Sequence, residues 1–211
     1  MDKKTLLILK KWPISYIIGF LLVILFWVSL LISIILAPPT FSPLKNYMSN
    51  LGNYSFNPNG ALFYNVSMTI SGFLFVIFFI GLSLWYNGIA IDKKLLITTQ
   101  ILGCLLAIVI ILTSIVSEDF NKPLHTFWSI IAGSLGFLVN MFLAIYLIRQ
   151  KEAIKKISYS IFILIGFYII FLFILIPTKF YFLAEWILRT LGDINLILIT
   201  YNLKNIFVNR K

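Results

Sequence analysis

The residues with the most chemical potential in this chain are few and grouped. Glu118 and Asp119 precede His125, the only histidine, within one short polar stretch between two long apolar runs. Further on, Glu185, Arg189 and Asp193 follow one another at intervals of four, which places all three on one face of a helix. A histidine beside carboxylates can serve as a general base or as a switch near neutral pH. The Glu185–Arg189–Asp193 row has two readings: a self-neutralising ladder that pins its helix to its neighbours, or the wall of a water-accessible cavity. At 1.5 Å per residue Asp193 lies about 12 Å further along the helix than Glu185, and an ionisable group that deep in an apolar segment must face the protein interior. Asn57 and Asn65 flank the start of another apolar run, and the cavity reading assigns them to the same polar wall. The remaining acidic residues, Asp2, Asp92 and Glu152, adjoin basic clusters and read as solvated edges.

The same inventory excludes several chemistries. One histidine and one cysteine, Cys104 inside an apolar run, rule out a multi-histidine zinc hydrolase, a multi-cysteine cluster and an internal disulfide. No phosphate-binding glycine loop, Ser–His–Asp order or cofactor fingerprint is present, so neither a cofactor nor a metal is expected. An enzyme reading stays open, with His125 as base and Glu118 or Asp119 orienting it.

The elements that must position these residues follow from composition. The chain is 61% hydrophobic and 11% charged, with a mean hydropathy of +1.01, more apolar than a water-soluble domain. Six stretches of the roughly 20 residues needed to cross a bilayer can be drawn, at 14–37, 61–86, 95–116, 124–148, 157–176 and 184–203. They lack the alternation of a β-barrel, which predicts an all-α, polytopic six-helix bundle forming a single membrane domain over 1–211. Pro13, Pro38, Pro39, Pro43, Pro58, Pro123 and Pro177 all fall at or outside these ends, where a missing N–H does least harm. Small residues of the fourth span, Ser129, Ala132, Gly133, Ser134, Gly136, Asn140 and Ala144, predict close packing of that helix near the bundle centre.

The net charge of +10 is a topology signal rather than a nucleic-acid footprint. Thirteen basic residues (Lys3, Lys4, Lys10, Lys11, Lys93, Lys94, Arg149, Lys151, Lys155, Lys156, Lys204, Arg210 and Lys211) fall on one side, against Lys45, Lys122 and Lys179 on the other. The positive-inside rule then puts both termini in the cytoplasm, and the longest connection, 38–60, outside. Heavy use of Ile, Lys and Asn suits an AT-rich genome and a prokaryotic cell membrane.

Three short stretches resemble a known membrane family, domain of unknown function 998. Met48-Ser49-Asn50-Leu51-Gly52, then Asn57-Pro58 and Ala61-Leu62-Phe63-Tyr64-Asn65, is similar to its Ser-x-Leu-Gly, Asn-Pro and Phe-Asn pattern. Glu118-Asp119 with Pro123-Leu124-His125 resembles its acidic pair and histidine, although Ser117 stands where that pattern has proline. Glu185-Trp186-Ile187-Leu188-Arg189 is similar to the polar start of its sixth helix. The family is itself similar to FRAG/DRAM-type six-helix proteins. That resemblance implies marked residues on the external side and, through the association of FRAG-type relatives with lipid-anchor remodelling, lipid handling.

The expected function is therefore an outward-facing site that binds or handles lipid head groups, with Arg189 contacting an anionic group. The alternatives are a transporter or channel using Asp193, and an accessory subunit or assembly factor of a membrane complex. Membrane lipid and a membrane-protein partner are the expected partners; nucleic acid is not.

Overall fold

The computed structural model describes residues 14–86, 92–151, 153–170 and 181–208, and all of its described regular structure is helical. Helix α1 spans Ile14–Ile35, α2 Ala61–Tyr86, α3 Lys93–Ile115, α4 Glu118–Arg149, α5 Lys155–Ile170 and α6 Tyr181–Val208, with a short 3₁₀ turn at Met48–Gly52. Four of these, Ile14–Ile35, Ala61–Leu82, Lys93–Ile115 and Glu118–Arg149, are long and apolar enough to cross a membrane. The described part of α5 is 16 residues long, and the remainder of the fifth predicted span lies outside the described residues.

Helix α1 shows why the bundle is built for lipid. Its inward face is Ser15, Gly19, Leu22, Phe26, Leu30 and Ser33. Its outward face, Ile17, Leu21, Ile24, Val28, Leu31 and Ile35, is purely aliphatic and exposed. A helix of a water-soluble protein puts its polar stripe outside; here the small and polar residues are inside, where they let backbones approach. Ser15 Oγ donates to the Phe78 carbonyl at 3.0 Å. At Gly72 an added Cβ would stand 2.9 Å from the Ala107 carbonyl of α3, so only glycine permits that crossing.

Each helix packs against its neighbours in chain order, and α6 returns to α1, closing a ring. The 3₁₀ turn touches α1, α2, α4 and α6 together, so the 38–60 loop caps one end of the ring. Met48 and Leu51, 2% and 0% exposed, plug into a cluster with Phe26, Leu30 and Tyr64, and Trp186 packs beside it. Asn57 clasps the loop. Its amide donates to the carbonyl of Ser33 at 3.2 Å, the hydroxyl of Ser33 at 3.1 Å and the carbonyl of Leu51 at 3.0 Å, and its Oδ1 accepts from the Gly60 N–H at 3.1 Å.

The structure corrects two expectations. The 118–123 stretch is not a loop: it is a helical turn joined to the long part of α4 across a kink at Asn121 (φ −158°, ψ 91°), so Pro123 lies inside α4. Asn121 Oδ1 accepts from the Leu124 N–H at 3.0 Å, restarting the helix as an N-cap, and Pro123 then occupies a first turn where its missing donor is harmless. The small residues of α4 do not mark the bundle centre. Ser129 and Ser134 are exposed and Gly133 meets nothing within 4 Å, because α4 sits in the ring between α3 and α5 and turns part of that stripe outward.

Candidate functional site

Beneath the cap lies a cavity of about 100 Å³. The loop contributes Ser49 and Gly52, α2 contributes Tyr64, Asn65 and Met68, and α3 contributes Thr113 and Ser114. Ser117, Glu118, His125 and Ser129 enter from the α4 side and Glu185 from α6. A water needs about 10–15 Å³ of such volume. The cavity therefore holds several waters or the terminal group of a larger molecule, and is too small for an acyl chain.

Glu185 connects the cap to the far side of the ring. Its Oε2 accepts the Met48 N–H at 3.0 Å and its Oε1 the Ser49 N–H at 3.3 Å, and the Ser49 hydroxyl donates to the same carboxylate. The two backbone donors are the free N–H groups that open a 3₁₀ turn, so the carboxylate replaces their missing intrahelical acceptors. Glu118 holds the turn from α4: its Oε2 accepts from Asn50 Nδ2 at 3.0 Å and its Oε1 pairs with Lys122 at 2.8 Å. Asn65 completes the attachment, donating to the Gly52 carbonyl at 2.8 Å.

His125 Nδ1 lies 2.7 Å from the Val116 carbonyl at the end of α3. A carbonyl only accepts, so Nδ1 carries a proton. Backbone, rather than Asp119, thus orients the imidazole; Asp119 is exposed and does not line the cavity.

The hydroxyl protons follow a common pattern. Thr113 donates to the Val109 carbonyl at 2.8 Å and Ser129 to the His125 carbonyl at 2.9 Å. Ser114 and Thr69 meet at 2.8 Å while lying against the Ile111 and Asn65 carbonyls. Two hydroxyls differ: Tyr64 and Ser117, 8% and 7% exposed, line the cavity with no protein partner for their side-chain oxygens among the described residues.

The sixth-helix row is divided. Arg189 Nε donates to Asp193 Oδ2 at 3.0 Å, both largely buried, and the guanidinium carbon stands 3.4 Å from the centre of the Phe26 ring. Glu185 turns to the loop instead. The three-residue ladder is therefore a two-residue pair, with Asp193 6% exposed, and neither Arg189 nor Asp193 lines the cavity. Asn57 is also absent from its wall, being consumed in the clasp. Of the residues marked in the sequence, Glu118, His125, Asn65 and Glu185 converge; Asn57, Asp119, Arg189 and Asp193 do not. Tyr64 and Ser117 went unmarked, although Tyr64 adjoins Asn65 and Ser117 is the position that departs from the Pro-Glu-Asp pattern. Among the described residues no three His, Cys, Asp or Glu side chains stand close enough to share a metal ion.

A closed ring of helices, apolar outside and polar under a capped end, defines a helical membrane protein. The chain belongs to the family described as "Protein of unknown function (DUF998)", whose model matches residues 20–201. Comparison with curated proteins and with solved structures gave no match. The family match does not extend to the FRAG/DRAM-type proteins, so their lipid-anchor association does not carry over to this chain.

Proposed function

We propose that this protein is a multi-pass cell-membrane protein that binds the polar end of a membrane lipid in the cavity under the 38–60 cap. All six helices cross the bilayer, both termini are cytoplasmic, and the cavity opens toward the outer leaflet. The observation that carries the reading is the meeting of Glu118, His125 and Glu185 in a cavity of head-group dimensions, at the end of a bundle whose outer faces are apolar. A molecule with an apolar body and a small polar end matches both surfaces. Arg189, committed to Asp193 and Phe26, is left out of this site, and Asp193 is neutralised in the same pair, which removes the support for a transport role.

Native mass spectrometry of the protein released from mild detergent tests the reading. The wild type should retain lipid. Ser129→Trp, at an exposed position of the wall, should block entry and lose the lipid with the fold intact; equal retention by both would refute the site. Orientation is read separately with an impermeant thiol reagent on intact cells carrying Cys104→Ser. Lys45→Cys should label and Lys151→Cys should not; the reverse pattern would invert the topology.

A further inference from the structure

We infer that the group this cavity takes is a protonated amine. The inference rests on the cavity described above and, for the source of the amine, on the lipid reading. Two carboxylates, Glu118 and Glu185, line the space, and among the described residues neither Lys nor Arg does. Lys122 reaches Glu118 from outside, its side chain 73% exposed. Among the described residues Glu185 receives only N–H and O–H groups, and no described cation meets its charge within the wall.

The hydrogen-bond valence agrees with the charge. A hydroxyl has one proton and two lone pairs, and a carboxylate can accept about four bonds. The protons of Thr113, Ser114 and Ser129 go to backbone carbonyls or to Thr69, and the imidazole proton goes to Val116. What these hydroxyls have left to offer the cavity is lone pairs. Tyr64 and Ser117, both largely buried residues on the wall, make no side-chain hydrogen bond to another described residue, so each hydroxyl has lone pairs open to a ligand. A wall rich in acceptors and negative charge selects a ligand rich in donors and positive charge. An ammonium group supplies three N–H donors and one charge within about the available volume. A phosphate, all acceptors and negative, is repelled, and a quaternary ammonium has the charge without the donors.

The test uses purified full-length protein in nanodiscs of phosphatidylethanolamine, phosphatidylcholine or phosphatidylglycerol, and separately in detergent with ethanolamine hydrochloride or sodium chloride at matched ionic strength. Bound lipid is read by native mass spectrometry and ethanolamine by the shift in melting temperature. Phosphatidylethanolamine should be retained in preference to the other two lipids. Tyr64→Phe and Glu185→Gln should each weaken amine binding by roughly tenfold or more, the scale of a hydrogen bond to a charged group. Tyr64→Phe keeps the ring and serves if Glu185→Gln, which disturbs the cap, fails to fold. Binding of ethanolamine without retention of any lipid would keep the amine and overturn the lipid source. Equal retention of phosphatidylcholine or phosphatidylglycerol would overturn the amine and keep the lipid reading. Stabilisation by sodium chloride equal to that by ethanolamine would overturn the inference in favour of a simple cation site, and binding of neither lipid nor amine would overturn both.

Discussion

Asn57→Ala separates the machinery that holds the cap from the residues that contact a ligand. Asn57 is fully buried, and its side chain bridges α1, the 3₁₀ turn and the start of α2. Two of its partners keep other bonds on truncation: the Leu51 carbonyl still accepts from Ser33 Oγ at 3.3 Å, and the Gly60 N–H still donates to the Asn57 carbonyl at 3.2 Å. The Ser33 carbonyl is worse placed, because the Ala37 N–H of the last turn goes to Ile34 instead. An orphaned buried carbonyl costs about 1–3 kcal/mol and each weakened bond about 0.5–1.5 kcal/mol, so the substitution should cost about 4 kcal/mol. At roughly 2–4 °C per kcal/mol for a chain of this size, the melting temperature in detergent should fall by roughly 8–16 °C. Lipid selectivity, measured below the new transition, should be unchanged. A fall of under about 3 °C would refute the clasp, and intact stability with lost selectivity would make Asn57 a ligand residue.

Three further outcomes are expected. Gly72→Ala places a Cβ 2.9 Å from a backbone carbonyl and should destabilise by about 1–3 kcal/mol, whereas Gly133→Ala, with open space around it, should be neutral or gain up to about 1 kcal/mol; chemical denaturation of the two variants side by side checks this. Arg189→Met strands the buried Asp193 carboxylate and should cost about 3–5 kcal/mol, much of which the double variant with Asp193→Leu should recover; a double-mutant cycle showing no coupling would contradict the pair. At the opposite end of the bundle the Leu95 N–H, helped by Arg149 at 2.6 Å, holds the Asp92 carboxyl below its ordinary range. A depressed folded-state value means that its contribution is present above the unfolded value and lost as pH falls through the folded one. Asp92→Asn should therefore flatten the acid limb of the stability profile, and identical limbs would contradict the assignment.

The sequence was most legible where hydropathy alone decides. The second span, 61–86, coincides with α2 and the third, 95–116, with α3 to within two residues, because apolar runs bounded by polar turns leave one solution. The start of α4 was obscured by Pro123, since a proline in the turn after a kink looks from sequence like one outside the helix. The site was half legible. Spacing by four placed Glu185, Arg189 and Asp193 on one face, but it does not tell that Met48 and Ser49, 137 and 136 residues away, offer unpaired N–H groups that draw Glu185 from its neighbours. The role of Asn57 was hidden for the same reason: a buried asparagine serving four loop and helix-end groups and one facing a ligand have the same local sequence.

The closing of the ring by its last helix also sets an order of events during synthesis. Helices α2 to α5 can each pair with a predecessor as soon as they emerge, but the N–H groups of Met48 and Ser49 must wait for Glu185. At about 5–20 residues per second, the 137 intervening residues impose a delay of roughly 7–27 s, during which the capping loop is made but has no anchor on the far side. A nascent chain stalled before α6 should expose that loop to protease, and release of the final helix should seal it in a single step.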